Sequence, residues 1–301
     1  MTAITNNPNK SGKVFDIASL TIAYLATFII FHFYGNSLYV SHTGRSLFVW
    51  IGRQWIAAGG DFSHGWLMPV FSIYAIWHYR VDLKNAEKST DYRGCLLLAI
   101  SLLLHIAAYR AQQPRISLIA MVGVIMAIPF SFYGSQVAKL LLFPCGYLLL
   151  AFTSYFLVSL TFKLRLLSTT LSVVILNGFG ISAIRNGTAI FSPTGLFGLE
   201  VADPCSGLRS LVTITAIAAP YAWMTQKKLF FKWGLFLCSL PIAVMANSLR
   251  IVTIAMFAMV WGQDNALKIY HDYSGYILFF FAVLMLITID RIISRWQKED
   301  E

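Results

Sequence analysis

Long apolar segments recur along nearly the whole chain, and short charged segments separate them. Several hold about twenty residues, the length that an α-helix needs to cross roughly 30 Å of hydrocarbon. Hydrophobic residues make up 57% of the 301 positions and charged residues only 12%, a composition outside the range of soluble domains. The sequence therefore predicts an all-α polytopic membrane protein.

About eight transmembrane helices are predicted, within a single integral-membrane domain over residues 1–301 whose core is 60–290 and whose polar tails, 1–13 and 290–301, are cytoplasmic. The segment Gly35–Ser63 carries arginines among aromatic residues and is predicted to lie in the headgroup region without crossing. The polar loop Arg80–Arg93 is predicted to be cytoplasmic. The eight predicted spans are Val14–Tyr34, His64–Tyr79, Gly94–Tyr109, Ile116–Tyr133, Leu140–Phe162, Ser206–Met224, Leu229–Trp261 and Tyr273–Ile289.

The seventh span is too long for one bilayer crossing. Leu229–Trp261 has 33 residues, about 50 Å as a helix, so we expect it to kink, protrude or break near Pro241 or near Asn247–Arg250. The loop Gln263–Asp272 is predicted to follow it.

A small extracytoplasmic cap is predicted between the fifth and sixth spans. Leu164–Gly180 is apolar but rich in Ser, Thr and Asn, which favours a re-entrant or interfacial helix. Asn186-Gly187 then lies between short alternating segments, a pattern typical of a β-hairpin with a type I′ turn. The cap is predicted to lead the chain directly to Cys205.

The net charge of +10 does not indicate a nucleic-acid-binding protein, because the basic residues are scattered between apolar runs and form no patch. Membrane lipid headgroups explain them better. In the predicted topology, cytoplasmic segments hold 13 of the 23 Lys and Arg residues and outer loops hold 8, while Arg209 and Arg250 lie within the membrane boundary. This excess on the cytoplasmic side agrees with the positive-inside rule. The sequence shows no internal repeat, so transporter-type pseudo-symmetry has no support.

Cys205 lies where a membrane helix is predicted to begin. Asp203 is suited to the N-cap and Pro204 to the first helical position. The thiol of Cys205 is therefore expected among unpaired N–H groups at the positive end of the helix dipole. Arg209 follows four residues later and adds positive potential on the same face. Such a thiol ionises more easily than a free one, as a nucleophile requires.

Three polar residues are predicted at the same membrane face: Cys205, Arg250 and His271. Ionisable groups at such a depth are costly to keep and are candidates for function. A thiolate can attack a carbonyl carbon, an imidazole can protonate the leaving amine, and a guanidinium can stabilise the oxyanion. The residues alone also leave open a transporter or lipid-handling protein that binds headgroups through Arg209 and Arg250, or a non-catalytic membrane scaffold.

No metal and no cofactor are expected. The other cysteines, Cys95, Cys145 and Cys238, lie inside apolar runs, where a free cysteine behaves as a small hydrophobic residue. The six histidines are scattered and lack the spacing of a metal site.

Four segments resemble, in order and spacing, the motifs of the exosortase/archaeosortase family of integral-membrane cysteine transpeptidases. They are HGWLMPVFSIY at 64–74, PCSGLRSL at 204–211, PIAVMANSLRI at 241–251 and HDYSGY at 271–276. In that family the Cys, Arg and His of the last three motifs are taken as the catalytic set. The resemblance therefore implies a catalytic set of Cys205, Arg250 and His271, in the bacterial form that carries His where some archaeal relatives carry Arg.

The resemblance also implies a substrate class and a location. The expected partners are secreted proteins with a C-terminal sorting tail: a short motif, often Pro-Glu-Pro, then a span and a basic cluster. Cleavage would leave a thioester on Cys205, which an acyl acceptor of unknown identity would then take, at the outer face of a bacterial inner membrane. Arg209, His64 and Asn247 are predicted to contact the substrate, and Arg209 is equally suited to anchoring a lipid phosphate.

Overall fold

The computed structural model describes residues 17–36, 44–56, 63–151, 155–200 and 208–299. The fold is mostly helical, and the chain divides into two compact units, residues 1–152 and 153–301. The prediction of a single domain over the whole chain stays a prediction.

The first unit contains six helices within its described residues. The bounds are α1 (Ile17–Phe33), α2 (Leu47–Ile56), a 3₁₀ turn (Ser63–Trp66), α3 (Leu67–His78), α4 (Arg80–Asn85), α5 (Tyr92–Arg110), α6 (Pro114–Tyr147) and a second 3₁₀ turn (Leu148–Ala151). α5 and α6 form an antiparallel hairpin, and the first 3₁₀ turn leads into α3.

α6 is bent at Gly134, directly after the predicted end of the fourth span. Gly134 has a φ of +83°, a conformation that costs glycine little and other residues much. A Cβ atom there would also collide with the carbonyl of Ser89, and the amide of Ser89 donates to the carbonyl of Tyr133 at 3.3 Å. The bend therefore requires glycine both for its backbone conformation and for this close approach.

The predicted fifth span, Leu140–Phe162, is wrong as a single helix. α6 ends at Tyr147, the 3₁₀ turn ends at Ala151, and the next helix begins at Tyr155. Because the whole segment is apolar, hydropathy alone does not indicate this interruption. Residues 152–154 lie outside the described residues.

The second unit contains four helices and a small sheet in its described part. The bounds are α7 (Tyr155–Gly178), β1 (Ile184–Asn186), β2 (Ala189–Phe191), β3 (Gly198–Glu200), α8 (Leu208–Thr225), α9 (Leu229–Trp261) and α10 (Gln263–Glu299).

α7 differs from the predicted cap helix in length and in packing. It has 24 residues, starts well before the predicted Leu164, and runs alongside α9. Ser168 Oγ donates to the carbonyl of Val244 at 3.3 Å, and Ser172 Oγ donates to that of Ser248 at 3.1 Å. Equal steps of four residues on both helices mean that α7 and α9 run in the same direction. The predicted helix bounds, 164–180, are therefore wrong, whereas the re-entrant or interfacial placement of this helix stays a prediction.

The polar residues that suggested an interfacial helix are buried in this contact instead. Ser168, Thr169 and Ser172 are all fully buried. Each hydroxyl donates to a carbonyl four residues earlier, at 2.7–3.1 Å, which satisfies it without water. Small hydroxyl residues also let two helix backbones approach closely.

The sheet has the order β1-β2-β3, and both pairings are antiparallel. The strands lie where the Asn-Gly pattern places them, but the turn type is different. Asn186 pairs with Ala189, so the two turn residues are Gly187 and Thr188. Only Gly187 of these two has a positive φ, +61°. One positive φ at the first turn position is typical of type II′, so the type I′ prediction is wrong.

The extra length of α9 is covered by the sheet. α9 is one helix of 33 residues with Pro241 inside it, so the predicted break is wrong, while a kink or a protrusion stays a prediction. Ile251, Ala255 and Ala258 pack in one cluster with Ile190 and Leu199 of the sheet. The turns of α9 beyond Arg250 therefore have a protein partner.

α10 begins earlier than predicted. It starts at Gln263, directly after Gly262, whose φ is +82°. The predicted loop Gln263–Asp272 is therefore wrong, and His271 lies in the third turn of a helix. Polar residues at the start of that segment, Asp264 among them, are favourable at a helix N-terminus, which explains why polarity alone suggested a loop.

Three helices of the described residues are long and apolar enough to cross a membrane by length and composition: Tyr92–Arg110, Pro114–Leu150 and Leu229–Trp261. Ile17–Phe33 and Leu67–His78 are shorter apolar helices. The count of eight spans stays a prediction.

Candidate functional site

Asn247 and Arg250 place unpaired polar atoms inside the second unit. Asn247 is 2% exposed, and neither its Oδ1 nor its Nδ2 has a hydrogen-bond partner among the described residues. Nε of Arg250, three residues further along α9, is also buried and unpaired. Residues three apart share one helix face. Buried polar groups are nearly always hydrogen-bonded in native proteins, so two unpaired neighbours on one face indicate a site for a ligand or substrate.

These two residues separate two apolar clusters along α9. On one side, Ile242 and Val244 pack with Ala282 and Leu286 of α10. On the other side, Ile251 and the residues after it pack with the sheet. The unpaired polar face is therefore a short interruption in an otherwise apolar helix, where polarity has no evident packing role.

His271 lies near the level of Arg250 because α9 and α10 form a tight antiparallel hairpin about Gly262. Gly262 lies midway along the chain between Arg250 of α9 and Ser274 of α10. At about 1.5 Å of rise per residue, these two backbones are level, about 16 Å from the connection. His271 precedes Ser274 by less than one helical turn.

The first turn of α8 reaches the same level through its register with α10. Asp290 of α10 accepts hydrogen bonds from Tyr221 Oη at 3.1 Å and Thr225 Oγ1 at 2.8 Å, and also from Gln226 Nε2. The two helices run in the same direction, since Gln226 also bonds Ser294.

This register sets the level at which α8 begins. Thr225, the last residue of α8, is hydrogen-bonded to Asp290 and so lies level with it. α8 begins at Leu208, and the same number of residues counted back along α10 from Asp290 leads to Tyr273. Because the two helices are parallel and rise equally per residue, the start of α8 is level with Tyr273.

The structure thus brings the backbones of three predicted site residues to one level in the second unit: Arg209 in the first turn of α8, Arg250 in α9 and His271 in α10. Cys205 lies outside the described residues, three positions before α8 begins. His64 is in the 3₁₀ turn of the first unit. Of the six predicted site residues, the structure describes the side chains of Asn247 and Arg250.

The remaining cysteines are unpaired: Cys95 is exposed, Cys145 buried and Cys238 half-buried. Among the described residues, no group of three or more His, Cys, Asp or Glu side chains lies together. No metal centre is therefore assigned in this part of the chain.

Sequence reasoning missed two sets of residues that position this level of the helices. The first is the serine contact of Ser168, Ser172 and Ser248 beside Asn247, where Ser248 Oγ donates to the carbonyl of Ser168 at 3.1 Å. The four-residue spacing of Ser168 and Ser172 was the available signal. The second is Asp290, which the sequence places at the polar end of the last helix, with nothing to reveal its partners.

The sequence model of the transmembrane exosortase family matches residues 55–288, well over half of the chain. The matched segment contains all six predicted site residues, from His64 to His271. No curated protein and no solved structure matches the chain. With several apolar helices and this match, the chain is a multi-pass membrane protein that belongs to the transmembrane exosortase family.

Proposed function

We propose that this protein is a membrane-embedded cysteine peptidase and transpeptidase that cleaves a C-terminal sorting signal from secreted proteins. Cys205 is its nucleophile, His271 its general acid, and Arg250 the group that stabilises the oxyanion. Arg209, His64 and Asn247 are proposed to contact the substrate. Family membership supports the reaction class.

The observation that carries the proposal is the unpaired polar face of α9. Asn247 and Arg250 hold buried atoms without partners, at the level where α10 carries His271 and α8 carries Arg209. Each unpaired buried polar group costs about 1–3 kcal/mol of stability. A peptide carbonyl and N–H bound at this level would provide the missing partners.

The proposed chemistry proceeds through a thioester. Cys205 passes its thiol proton to His271, the resulting thiolate attacks the scissile carbonyl carbon, and the developing oxyanion is stabilised by the guanidinium of Arg250. The carbon–nitrogen bond then breaks as His271 gives a proton to the leaving amine of the sorting tail. An acceptor nucleophile of unknown identity finally attacks the thioester carbonyl, which releases the Cys205 thiol.

The position of these residues suits a substrate with a transmembrane tail. Between Leu229 and Arg250, α9 rises about 32 Å, close to the hydrocarbon thickness of a bilayer. Arg250 is therefore proposed to lie at a membrane–water boundary, where the peptide bond just before a membrane-spanning tail would be presented. A Pro-Glu-Pro-like motif before such a tail is the proposed recognition element, and the bacterial inner membrane the proposed location.

Replacing Cys205 tests the proposal directly. Cys205→Ala is expected to abolish shortening of a tailed substrate protein that is co-expressed in the same membrane, measured by the size of the substrate on a gel and by mass spectrometry. Cys145→Ala and Cys238→Ala are the matched controls, since these thiols are buried or half-buried in helices. Both are expected to leave processing intact and to alter stability at most.

Continued substrate shortening by Cys205→Ala would exclude the thioester mechanism. Shortening that also continues in cells without the protein would favour the transporter or lipid-handling alternative, in which Arg209 and Arg250 bind headgroups and Cys205 has no chemical role.

A further inference from the structure

The first unit contains an apolar cavity whose lining includes none of the proposed catalytic or substrate-contacting residues. Its volume is about 330 Å³, and it lies between α2, the start of α3 and α6. Trp55 and Trp66 line one side, with their rings in edge-to-face contact at 4.8 Å. Leu118 and Val122 of α6 line the other side. The volume is within the range of about 300–1,000 Å³ typical of ligand sites.

α2 separates this cavity from a charged surface. Ile51, Gly52 and Trp55 face the cavity, while Arg53 is exposed and, at about 100° per residue, lies on the opposite face. With ten residues, α2 is about 15 Å long, too short to cross a bilayer. This is the arrangement of a helix that lies in the headgroup region with its apolar face toward the acyl chains.

Positive charge collects at this end of the first unit. Arg115 is exposed and lies one turn before the cavity residue Leu118, and Arg110 and Arg45 are exposed nearby in the chain, at the end of α5 and before α2. The acidic residues described in this unit, Asp82, Glu87 and Asp91, precede α5. α5 is 19 residues long, so about 28 Å of helix separates them from Arg110.

We propose that this cavity binds one acyl chain of an anionic phospholipid, whose phosphate is held by Arg53 and Arg115. Hydrocarbon is the chemistry that an apolar cavity in a bilayer accepts, and a phosphate is the group that guanidinium pairs bind. The site also gives a reason for arginines that the predicted topology puts on the outer side, against the positive-inside rule. It contains none of the proposed catalytic residues.

Gly52 allows the cavity to be filled without disturbing α2. A Cβ atom at Gly52 would meet no atom within 4 Å, so Gly52→Leu places a side chain in the cavity. Gly234→Leu is the matched control: Gly234 is also a helical glycine whose added Cβ meets nothing within 4 Å, but it lies in α9 of the other unit. Both changes replace a glycine inside a helix, so neither is expected to lower stability.

The experiment uses full-length protein in nanodiscs that contain phosphatidylglycerol with a photoreactive diazirine in one acyl chain. Adducts are mapped by mass spectrometry of peptides that contain Trp55, Trp66 or Leu118. The parent and Gly234→Leu are expected to give equal labelling, and Gly52→Leu at least about fivefold less. Equal labelling of Gly52→Leu and the parent would overturn the acyl-chain site.

The headgroup is tested with a phosphatidylcholine that carries the same diazirine chain. Labelling of the parent is expected to favour phosphatidylglycerol by at least about fivefold, since one arginine near an anionic membrane contributes about that factor. Arg53→Gln combined with Arg115→Gln is expected to bring the ratio close to one. A parent that labels equally with both lipids would overturn the anionic-lipid assignment, as would a preference that survives the double substitution.

Discussion

Asn247 and Arg250 have buried polar atoms with no hydrogen-bond partner in the part of the chain that the structure describes. Such atoms cost about 1–3 kcal/mol each when left without partners. A position under no functional constraint would sooner carry an apolar residue, as the neighbouring positions Val244 and Ile251 do. This makes the two residues testable by changes that separate stability from activity.

Arg250→Lys is expected to fold and insert at near-normal levels but to process substrate at least about a hundredfold more slowly. Lys keeps the charge and loses the planar fork of donors, and removing one oxyanion donor typically costs about 2.7–4 kcal/mol, or about 100- to 1000-fold in rate. The measurement is a single-turnover cleavage rate on purified enzyme. Arg291→Lys, at an exposed position of α10, is the control, and an Arg250→Lys rate within about threefold of the parent would show that Arg250 supplies only charge or packing.

Asn247→Leu is expected to maintain or raise the melting temperature while slowing substrate processing by at least about tenfold. The similar-sized apolar side chain removes two unpaired atoms, which relieves a desolvation cost, but it offers nothing to a peptide. Ser117→Ala is a matched control, since Oγ of Ser117 is likewise buried and unpaired in a helix of the other unit. A stabilised Asn247→Leu enzyme with parental activity would remove Asn247 from the site.

At the scale of the elements, the sequence predicted apolar helices well and polar helices poorly. The hairpin followed from Asn186-Gly187, because it depends on local backbone chemistry. The full length of α7 and the start of α10 were missed because their polar residues have roles that periodicity does not show. The hydroxyls of α7 bond to carbonyls of α9, and such a contact between distant segments leaves no local pattern.

The sequence predicted the residues of the candidate site but not their environment. Motif resemblance supplied Cys205, Arg250 and His271, whereas the unpaired state of Asn247 and Arg250 is visible only when burial and partners are known. The register of α8 against α10 was also inaccessible, since Asp290 binds residues 64 to 69 positions earlier.

Asp290 is expected to fix that register, and its loss should be costly. It is 8% exposed and accepts from Tyr221, Thr225 and Gln226, so Asp290→Ala removes three hydrogen bonds between the two helices. We expect a loss of about 3 kcal/mol in unfolding free energy for Asp290→Ala and about 1 kcal/mol for Tyr221→Phe. The measurement is denaturant unfolding in detergent.

Thr288 offers the control for Asp290 on the same helix. Its hydroxyl is exposed and bonds only the carbonyl of Leu284, so Thr288→Ala should change stability by less than about 0.5 kcal/mol. If Asp290→Ala were no more destabilising than Thr288→Ala, these hydrogen bonds would not hold α8 and α10 in register.

At the scale of the whole molecule, α9 sets which parts of the second unit lie on opposite sides of a bilayer. From Leu229 to Arg250 it rises about 32 Å, one hydrocarbon thickness. Lys227 and Lys228 are exposed at one end, and the sheet packs on the turns beyond the other end. Basic residues at a helix end favour the cytoplasmic side, so the sheet, Arg250 and His271 are predicted to be extracytoplasmic.

Single cysteines introduced into a cysteine-free background test this topology in intact cells. An impermeant thiol reagent is expected to label Arg185→Cys, an exposed position of β1, and to leave Lys227→Cys and Lys84→Cys unlabelled until the membrane is permeabilised; all three positions are exposed. Lys84 lies in the first unit and Lys227 in the second, so the orientation of each unit in the membrane is tested separately. Labelling anywhere in 84–90 in intact cells would overturn the predicted cytoplasmic placement of Arg80–Arg93. If Lys227→Cys reacted while Arg185→Cys did not, the second unit would be inverted, and a peptidase acting on secreted proteins would lose its physical basis, since the proposed site would then face the cytoplasm.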